Sequence, residues 1–562
     1  MRLHLKRWLY LTHRWLGVVL CAFFAMWFVS GVVMMYVGYP KLTQAERLQH
    51  LPPLGDGTGL LAPRQALDAA GLHGPLSALR LAVARGGAPV YLVVPDEPAS
   101  AGAGRRRSPP GSGTVVIDAV TGERLQGVDG ALALASAAAY AGSAGIAGMQ
   151  YFGTIQEDTF THSRGLDAHR PLHRVQLLDP DSTRLYISSL TGEVVRDATK
   201  TERIWNYAGA WIHWLYPFRG NRFDPYWADI VNWLSIIGIA VTLIGTVVGI
   251  MRWRFQRPYR SGSRSPYTER MMRWHHISGL LFALITFTWI FSGLMSMNPW
   301  RVFDVGAAPL QMKALQGAAL DLAADHVAPA VLLAEAGGNV RELRWAPVLG
   351  ALTVQAAGPV GRPQMLDARS ASPVFVDEVA LRDAAVQLLD APVERIDRLT
   401  EYDFHYYDRE AHTMTGGTEK PLPILRVVFQ DPQASWVHID LHTGAVLGRS
   451  DAGRRASRWL FALLHSWDWL PLLNQRPLWD LLLIVLSAGG TLLSVTGIVI
   501  GWRRLGLKLR SVQHSRAPKV TKELMGTSQF DRRASLALVH RCDAGCASAP
   551  DGGAAPSSET RK

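Results

Sequence analysis

Four histidines recur at matched positions in two copies of one pattern, each beside a stretch apolar enough to enter a membrane. From His13 the chain reads H-R-W-L-G and runs on to Trp27 and Gly31; from His275 it reads H-H-I-S-G and runs on to Trp289 and Gly293. In both stretches histidine precedes a glycine by four residues, a tryptophan by fourteen and a second glycine by eighteen. His213 precedes Pro225 by twelve residues and Trp227 by fourteen; His465 stands in the same relation to Pro477 and Trp479. The chain is therefore an internal duplication. Each copy has one histidine at the start of a hydrophobic span and one just before the next. An ionisable group at such a place is costly and usually faces the bundle interior. Equivalent imidazoles on paired membrane helices suit the two axial positions of a haem iron, a low-spin centre that passes single electrons.

The spacing predicts that His13 and His275 hold one haem b near one face of the membrane, and that His213 and His465 hold a second near the other. His276 is a rival to His275, because it occupies the place of Arg14 in the other copy. Arg14 and Arg273 are placed to meet propionates at the first site, and Arg219 or Arg476 at the second, since a planar guanidinium binds a carboxylate bidentately. Two such centres would form a relay through a layer about 30 Å thick. The plainer reading is that each histidine only hydrogen-bonds a neighbour or a lipid headgroup; the duplicated spacing weighs against it.

The elements that must position these residues are four apolar stretches, at about 16–39, 229–251, 277–297 and 480–501, each near the ~20 residues a bilayer requires. No small-x-small cleavage site follows the first, so it reads as a retained anchor. The 130–148 stretch is Ala-, Gly- and Ser-rich and reads as a helix outside the membrane. Lys and Arg cluster before the first stretch, between the second and third, and after the fourth. By the positive-inside rule these regions and both termini are cytoplasmic, which in a bacterium makes this a multi-pass inner-membrane protein facing the periplasm with two large segments. The net charge of +12 resides largely beside the spans, so membrane lipid and not nucleic acid is the expected partner. Of three cysteines, Cys21 lies in a span and Cys542 and Cys546 in the tail, so disulfides do not hold the large segments.

Those segments repeat an alternating strand that ends in a Thr-Gly turn: V-V-I-D-A-V-T-G at 115–122, L-Y-I-S-S-L-T-G at 185–192 and V-H-I-D-L-H-T-G at 437–444, with a fourth, M-L-D-A-R-S-A-S-P, at 365–373 that has lost the Thr-Gly. Glycine there supplies the positive φ that closes a hairpin. Two polar clusters, Asp403, His405, Tyr406, Tyr407, Arg409 and His412, and Asp158, His162, Arg164, His169 and His173, could contact a substrate or could form contacts between lobes. Residues 100–113 read as a flexible loop, and the tail from about 511 as disordered.

Together H-R-W-L-G at His13, R-W-L-F-A-L-L-H-S-W-D-W ending at Trp469, R-P-L-W-D at 476–480 and the Thr-Gly strands resemble the PepSY-associated transmembrane family, iron-regulated membrane proteins that include ferric-siderophore reductases. The resemblance implies an all-α four-helix membrane bundle carrying periplasmic α+β PepSY-type domains. The expected boundaries are 1–40 (N-terminal cytoplasmic segment and first membrane helix), 41–200 (PepSY-type), 201–252 (interfacial segment and second helix), 253–276 (basic loop), 277–298 (third helix), 299–450 (PepSY-type), 451–502 (interfacial segment and fourth helix) and 503–562 (tail). It further implies a haem-dependent ferric-chelate reductase in iron uptake, whose acceptor is a periplasmic ferric complex. The chain has no G-x-G-x-x-G after a strand and no Walker sequence, so the expected electron donor is separate, a quinol or a cytoplasmic reductase. The alternative is a non-enzymatic PepSY protein that binds a periplasmic protease, peptide or envelope partner. A permease is disfavoured on the expectation that no span is broken.

Overall fold

A computed structural model describes residues 2–96, 113–142, 148–304, 306–317, 320, 322, 326–413 and 416–516. The described residues up to 505 form one compact unit, and 506–516 belong to a second. The 100–112 part of the expected loop, and the tail beyond 516 with Cys542 and Cys546, lie outside the described residues.

The apolar stretches form helices α1 (Arg2–Tyr36), α2 (Trp227–Arg252), α3 (Arg270–Leu281), α4 (Ala283–Ser296) and α5 (Leu478–Arg516). The expected four-helix bundle is not what these make. Three helices, α1, α2 and α5, are long and apolar enough to cross a bilayer. The stretch expected as a third continuous span is instead two short helices, α3 and α4, bent by 66° at their junction. The residue between them, Phe282, departs from helical geometry (φ −104°, ψ 11°), and its ring occupies the space beside α5 that a side chain at Gly489 would need. The expectation of unbroken spans is corrected with it.

The strand content is also larger than an all-α bundle with appended lobes implies: fifteen described strands build three antiparallel sheets. The first large segment supplies β1 (Leu76–Ala84), β2 (Ala88–Pro95), β3 (Val115–Asp118), β4 (Arg124–Leu125), β5 (Met149–Ile155), β6 (Leu172–Leu177), β7 (Arg184–Ser188) and β8 (Val194–Ala198). The second supplies β9 (Glu342–Val348), β10 (Ala351–Ala357), β11 (Gln364–Asp367), β12 (Val393–Leu399), β13 (Ile424–Phe429), β14 (Trp436–Asp440) and β15 (Val446–Ser450). The two segments share one seven-stranded sheet, ordered β11-β10-β9-β1-β2-β3-β4, in which β1 pairs with β9 through Leu79 opposite Trp345 and Leu81 opposite Leu343. Each segment then keeps a four-stranded sheet of its own, β5–β8 or β12–β15.

Local chemistry explains the hairpins. In the 115–122 repeat Asp118 accepts from the amides of Val120 and Thr121, both 2.8 Å away, and Gly122 takes φ +76°. That conformation disfavours a residue with a Cβ. The 130–148 stretch does form a helix, Gly130–Ala141, capped by Asp129 and packed through Ala133, Ala137 and Tyr140 on the β5–β8 sheet. A buried ion cluster ties that sheet to the shared one: Arg80 bonds both Glu193 (3.1 Å) and Glu342 (2.8 Å), and Arg47 reaches Glu342 at 2.5 Å. The two arginines hold the Glu342 carboxyl down at about 2, against the opposing effect of its burial. Removing one member of such a cluster costs about 3–5 kcal/mol.

Candidate functional site: two cavities with paired histidines

The helices enclose two cavities stacked along α1, of about 420 Å³ and 480 Å³, within the range of about 300–1,000 Å³ usual for ligand pockets. His13 and His275 line the first, and His213 and His465 the second. His13 and Ser30, which touches His213, are seventeen residues apart on α1, a rise of about 26 Å. The second cavity is the lobe-proximal one, since Arg409 and Thr413 reach it from the segment after β12. In the lobe-distal cavity the His13 and His275 ring centroids are 6.2 Å apart with planes at 36°. In the proximal cavity His213 and His465 are 6.1 Å apart with planes at 78°.

The backbone that presents the proximal pair is unusual and duplicated. His213 follows a π-helical turn, Tyr207–Trp211, and His465 follows another, Arg458–Leu463. Each turn soon ends in a left-handed non-glycine residue, Leu215 (φ 54°) or Trp467 (φ 51°). Such a conformation costs about 1–2 kcal/mol and persists only where its surroundings enforce it. One enforcing contact is again duplicated: the Trp227 indole donates to the Trp214 carbonyl (2.8 Å), and Trp479 donates to Ser466 (3.1 Å).

Hydrogen bonds set the tautomers. The Ser30 hydroxyl donates to the Met26 carbonyl (2.6 Å), so it accepts from His213 Nδ1–H at 2.9 Å. In the same way Ser292 donates to the Trp289 carbonyl (3.1 Å) and accepts from His465 Nδ1–H at 3.0 Å. His275 Nδ1–H donates to the Leu493 carbonyl at 3.1 Å. In these three rings Nε2 is left as the bare nitrogen, the form a metal binds. Burial pushes the pKa of His213 down to about 3, with His465 adding to the effect, and that of His465 down to about 4, which favours the neutral ring in both.

His276 is different. It accepts from the Ser265 hydroxyl (2.8 Å) at Nδ1 and donates to the Gly249 carbonyl (2.9 Å) from Nε2. Both nitrogens are used, and the ring clamps the loop after α2 against that helix.

Glycines make the close approaches possible. A Cβ on Gly245 of α2 would lie 2.5 Å from His13 Cε1, and one on Gly497 of α5 would lie 3.2 Å from His275 Cε1. Gly31 and Gly293 stand equally matched, each 3.7 Å from the Cε1 of His213 or His465 by the same measure.

The arginines divide. Arg14 lines the distal cavity, whereas Arg273 is exposed and does not. Arg252 and Arg504, at duplicated positions of α2 and α5, line it as well; in the sequence alone they read as charge flanking the spans. Arg219 pairs with Asp224 (2.7 Å) and Arg476 with Asp480, both outside the proximal cavity lining. The basic residue in that lining is Arg409, paired to the fully buried Asp468, which Tyr407 also bonds at 2.8 Å.

The two polar clusters are mostly satisfied by protein contacts. Arg426 holds Asp403 (2.5 Å), His173 bonds Tyr151 (2.8 Å) and the Val128 carbonyl (2.8 Å), and His412 bonds Glu46 (2.5 Å). Of these cluster residues, Arg409 is the one that lines a cavity. Among the described residues no group of three or more His, Cys, Asp and Glu is gathered to hold a metal ion.

No curated protein matches the chain. The sequence pattern of the PepSY-associated TM region does match, over residues 10–504. With apolar helices of spanning length beneath paired lobes, this chain is a membrane protein and belongs to the PepSY-associated TM region family.

Proposed function

We propose that the chain carries electrons across the bacterial inner membrane through two b-type haems, one in each cavity, and delivers them singly to a ferric complex in the periplasm. The observation that carries this reading is the spacing of the ring pairs. With a metal–imidazole bond of about 2.0 Å and a ring centre roughly 1.1 Å behind the nitrogen, two imidazoles holding one metal ion between them would have their centres about 6.2 Å apart. The two pairs measure 6.2 Å and 6.1 Å. The residues present therefore fit the group. Haem held by these histidines would supply an iron that changes oxidation state by one electron.

The chain's own residues would then orient and insulate. Ser30, Ser292 and the Leu493 carbonyl hold three of the imidazoles in the binding tautomer. Arg14, Arg252 and Arg504 provide positive charge for carboxylates at the distal cavity. Basic residues after α2 and in the C-terminal part of α5 (Arg503, Arg504, Lys508) support a cytoplasmic location for that end and lobes in the periplasm. The donor is a quinol or a separate cytoplasmic reductase. A quinol gives up two electrons and two protons, and two ferric complexes each take one electron to become ferrous. Ferrous iron leaves hard-oxygen chelators more readily.

Purified protein is expected to show a reduced-minus-oxidised b-type spectrum with two haems per chain. His13→Ala or His275→Ala should lose the distal haem alone, and His213→Ala or His465→Ala the proximal haem alone. A colourless protein, or four single variants with full haem content, would overturn the reading and favour a PepSY protein that binds an envelope partner.

A further inference from the structure

The two cavities share a wall. Phe24, on α1 between the levels of His13 and Ser30, lines both of them. Its side chain is packed, with only 6 % of the residue exposed. The ring rests where α2 has a glycine: a Cβ on Gly238 would lie 3.1 Å from Phe24 Cε1 and 3.3 Å from the Ile290 side chain. It also stacks on Trp27, with centroids 6.2 Å apart and planes at 23°, and Trp27 lines the proximal cavity. The Trp27 indole in turn donates to the His213 carbonyl at 2.9 Å. A path of packed aromatic matter thus runs from the boundary of the distal cavity to the backbone of a proximal histidine.

The duplication does not repeat this feature. Matching H-R-W-L-G to H-H-I-S-G puts Trp27 with Trp289 and Phe24 with Thr286. Thr286 lines the distal cavity but not the proximal one. The ligand histidines, their serines and their glycines come in matched pairs, whereas Phe24 stands on one side only. Glycines also seat Phe28 (Gly490) and Phe282 (Gly489), so what sets Phe24 apart is its contact with both chambers.

We propose that Phe24 is the bridging residue between the two redox sites, the side chain through which electron coupling from the distal to the proximal cavity runs. The proposal rests on the di-haem reading above. Tunnelling falls steeply with distance and is slower across a gap than through packed atoms. A ring filling the wall therefore shortens the effective path, and its removal leaves a void that joins the chambers. With haem held by the paired histidines, one electron would leave the distal centre and enter the proximal one, and Phe24 would only carry the coupling between them. No proton or bond moves with it.

The test uses full-length protein in detergent with both haems bound, as wild type, Phe24→Leu, Phe24→Ala and Phe24→Trp. Haem content and the midpoint potential of each haem are measured first. A pulse of photogenerated one-electron reductant then starts a single turnover, and rapid freezing with electron paramagnetic resonance follows the two ferric signals separately. Phe24→Leu and Phe24→Ala should keep both haems and both potentials but slow redistribution between the sites at least tenfold. Phe24→Trp should restore it to within about threefold. Wild-type redistribution in Phe24→Leu with both haems in place would overturn the bridge and leave the di-haem reading standing. A protein with no haem would instead sink the di-haem reading. Should Phe24→Ala lose haem, Phe24→Leu, which keeps most of the volume, decides alone.

Discussion

The Ser30 hydroxyl lies 2.9 Å from His213 Nδ1 and gives its own proton to Met26 one turn back. Ser292 repeats the arrangement on His465 at 3.0 Å. A hydroxyl so committed can only accept, so each serine holds its imidazole with Nε2 bare. Partners of this kind typically contribute 10- to 100-fold to affinity at a metal site. Ser30→Ala is expected to speed loss of the proximal haem to an acceptor apoprotein by about tenfold or more. Ser292→Ala should do less, because His465 Nδ1 also lies 3.2 Å from the Trp289 carbonyl. Equal effects from both would show that the serine contact does not set the tautomer.

Gly245 faces His13 as Gly497 faces His275. An alanine at 245 would place its methyl 2.5 Å from the ring, closer than any real contact allows, so either the ring or the helix must move. Gly245→Ala should therefore lower occupancy of the distal haem while the proximal haem, its internal control, stays at wild-type content. Gly497→Ala leaves more room at its histidine, 3.2 Å, but meets the Cys21 sulfur. Its effect should be smaller in Cys21→Ala background than alone, measured by pyridine haemochrome against protein.

The histidines were legible in the sequence because a duplication repeats spacing, and spacing on helices becomes proximity. Other residues carry the same duplicated spacing. Ser30 and Ser292 are matched within the copies, as are Gly245 and Gly497 and Arg252 and Arg504. None of them binds a metal, and the arginines read as flanking charge, because their meaning depends on which helix faces which. The broken span was not legible. Around Phe282 the chain runs apolar without proline, and hydropathy measures composition, not direction. The shared sheet was hidden for a related reason. Leu79 and Trp345 read as ordinary strand residues in two separate segments, and their pairing is a long-range choice that local patterning does not encode.

His276 and His275 are adjacent in sequence and differ in hydrogen bonding. Since both nitrogens of His276 are engaged, His276→Ala should leave haem content at two per chain. It strands the buried Ser265 hydroxyl, which costs about 1–3 kcal/mol, and should lower the thermal midpoint by a few degrees. His275→Ala should instead remove the distal haem. Loss of haem from His276→Ala with retention in His275→Ala would reverse the assignment.

The ring planes of the two pairs differ, 36° for His13 with His275 and 78° for His213 with His465. In a low-spin ferric haem the axial ring planes select which iron d orbitals are split. Rings near parallel interact with the same orbital and lift the degeneracy strongly, which gives a rhombic resonance with three resolved features. Rings near perpendicular act equally on both orbitals and leave them almost degenerate, which gives one broad feature at low field. The oxidised protein should therefore show both signals in equal amounts. His213→Ala and His465→Ala should each abolish the low-field feature and spare the rhombic one, and His13→Ala and His275→Ala the reverse. Because the angles are held by Ser30, Ser292 and the Leu493 carbonyl, Ser30→Ala should also move the low-field feature toward the rhombic type as the His213 ring turns. Two identical spectra, insensitive to which pair is cut, would mean that the ligands are not set by these ring orientations.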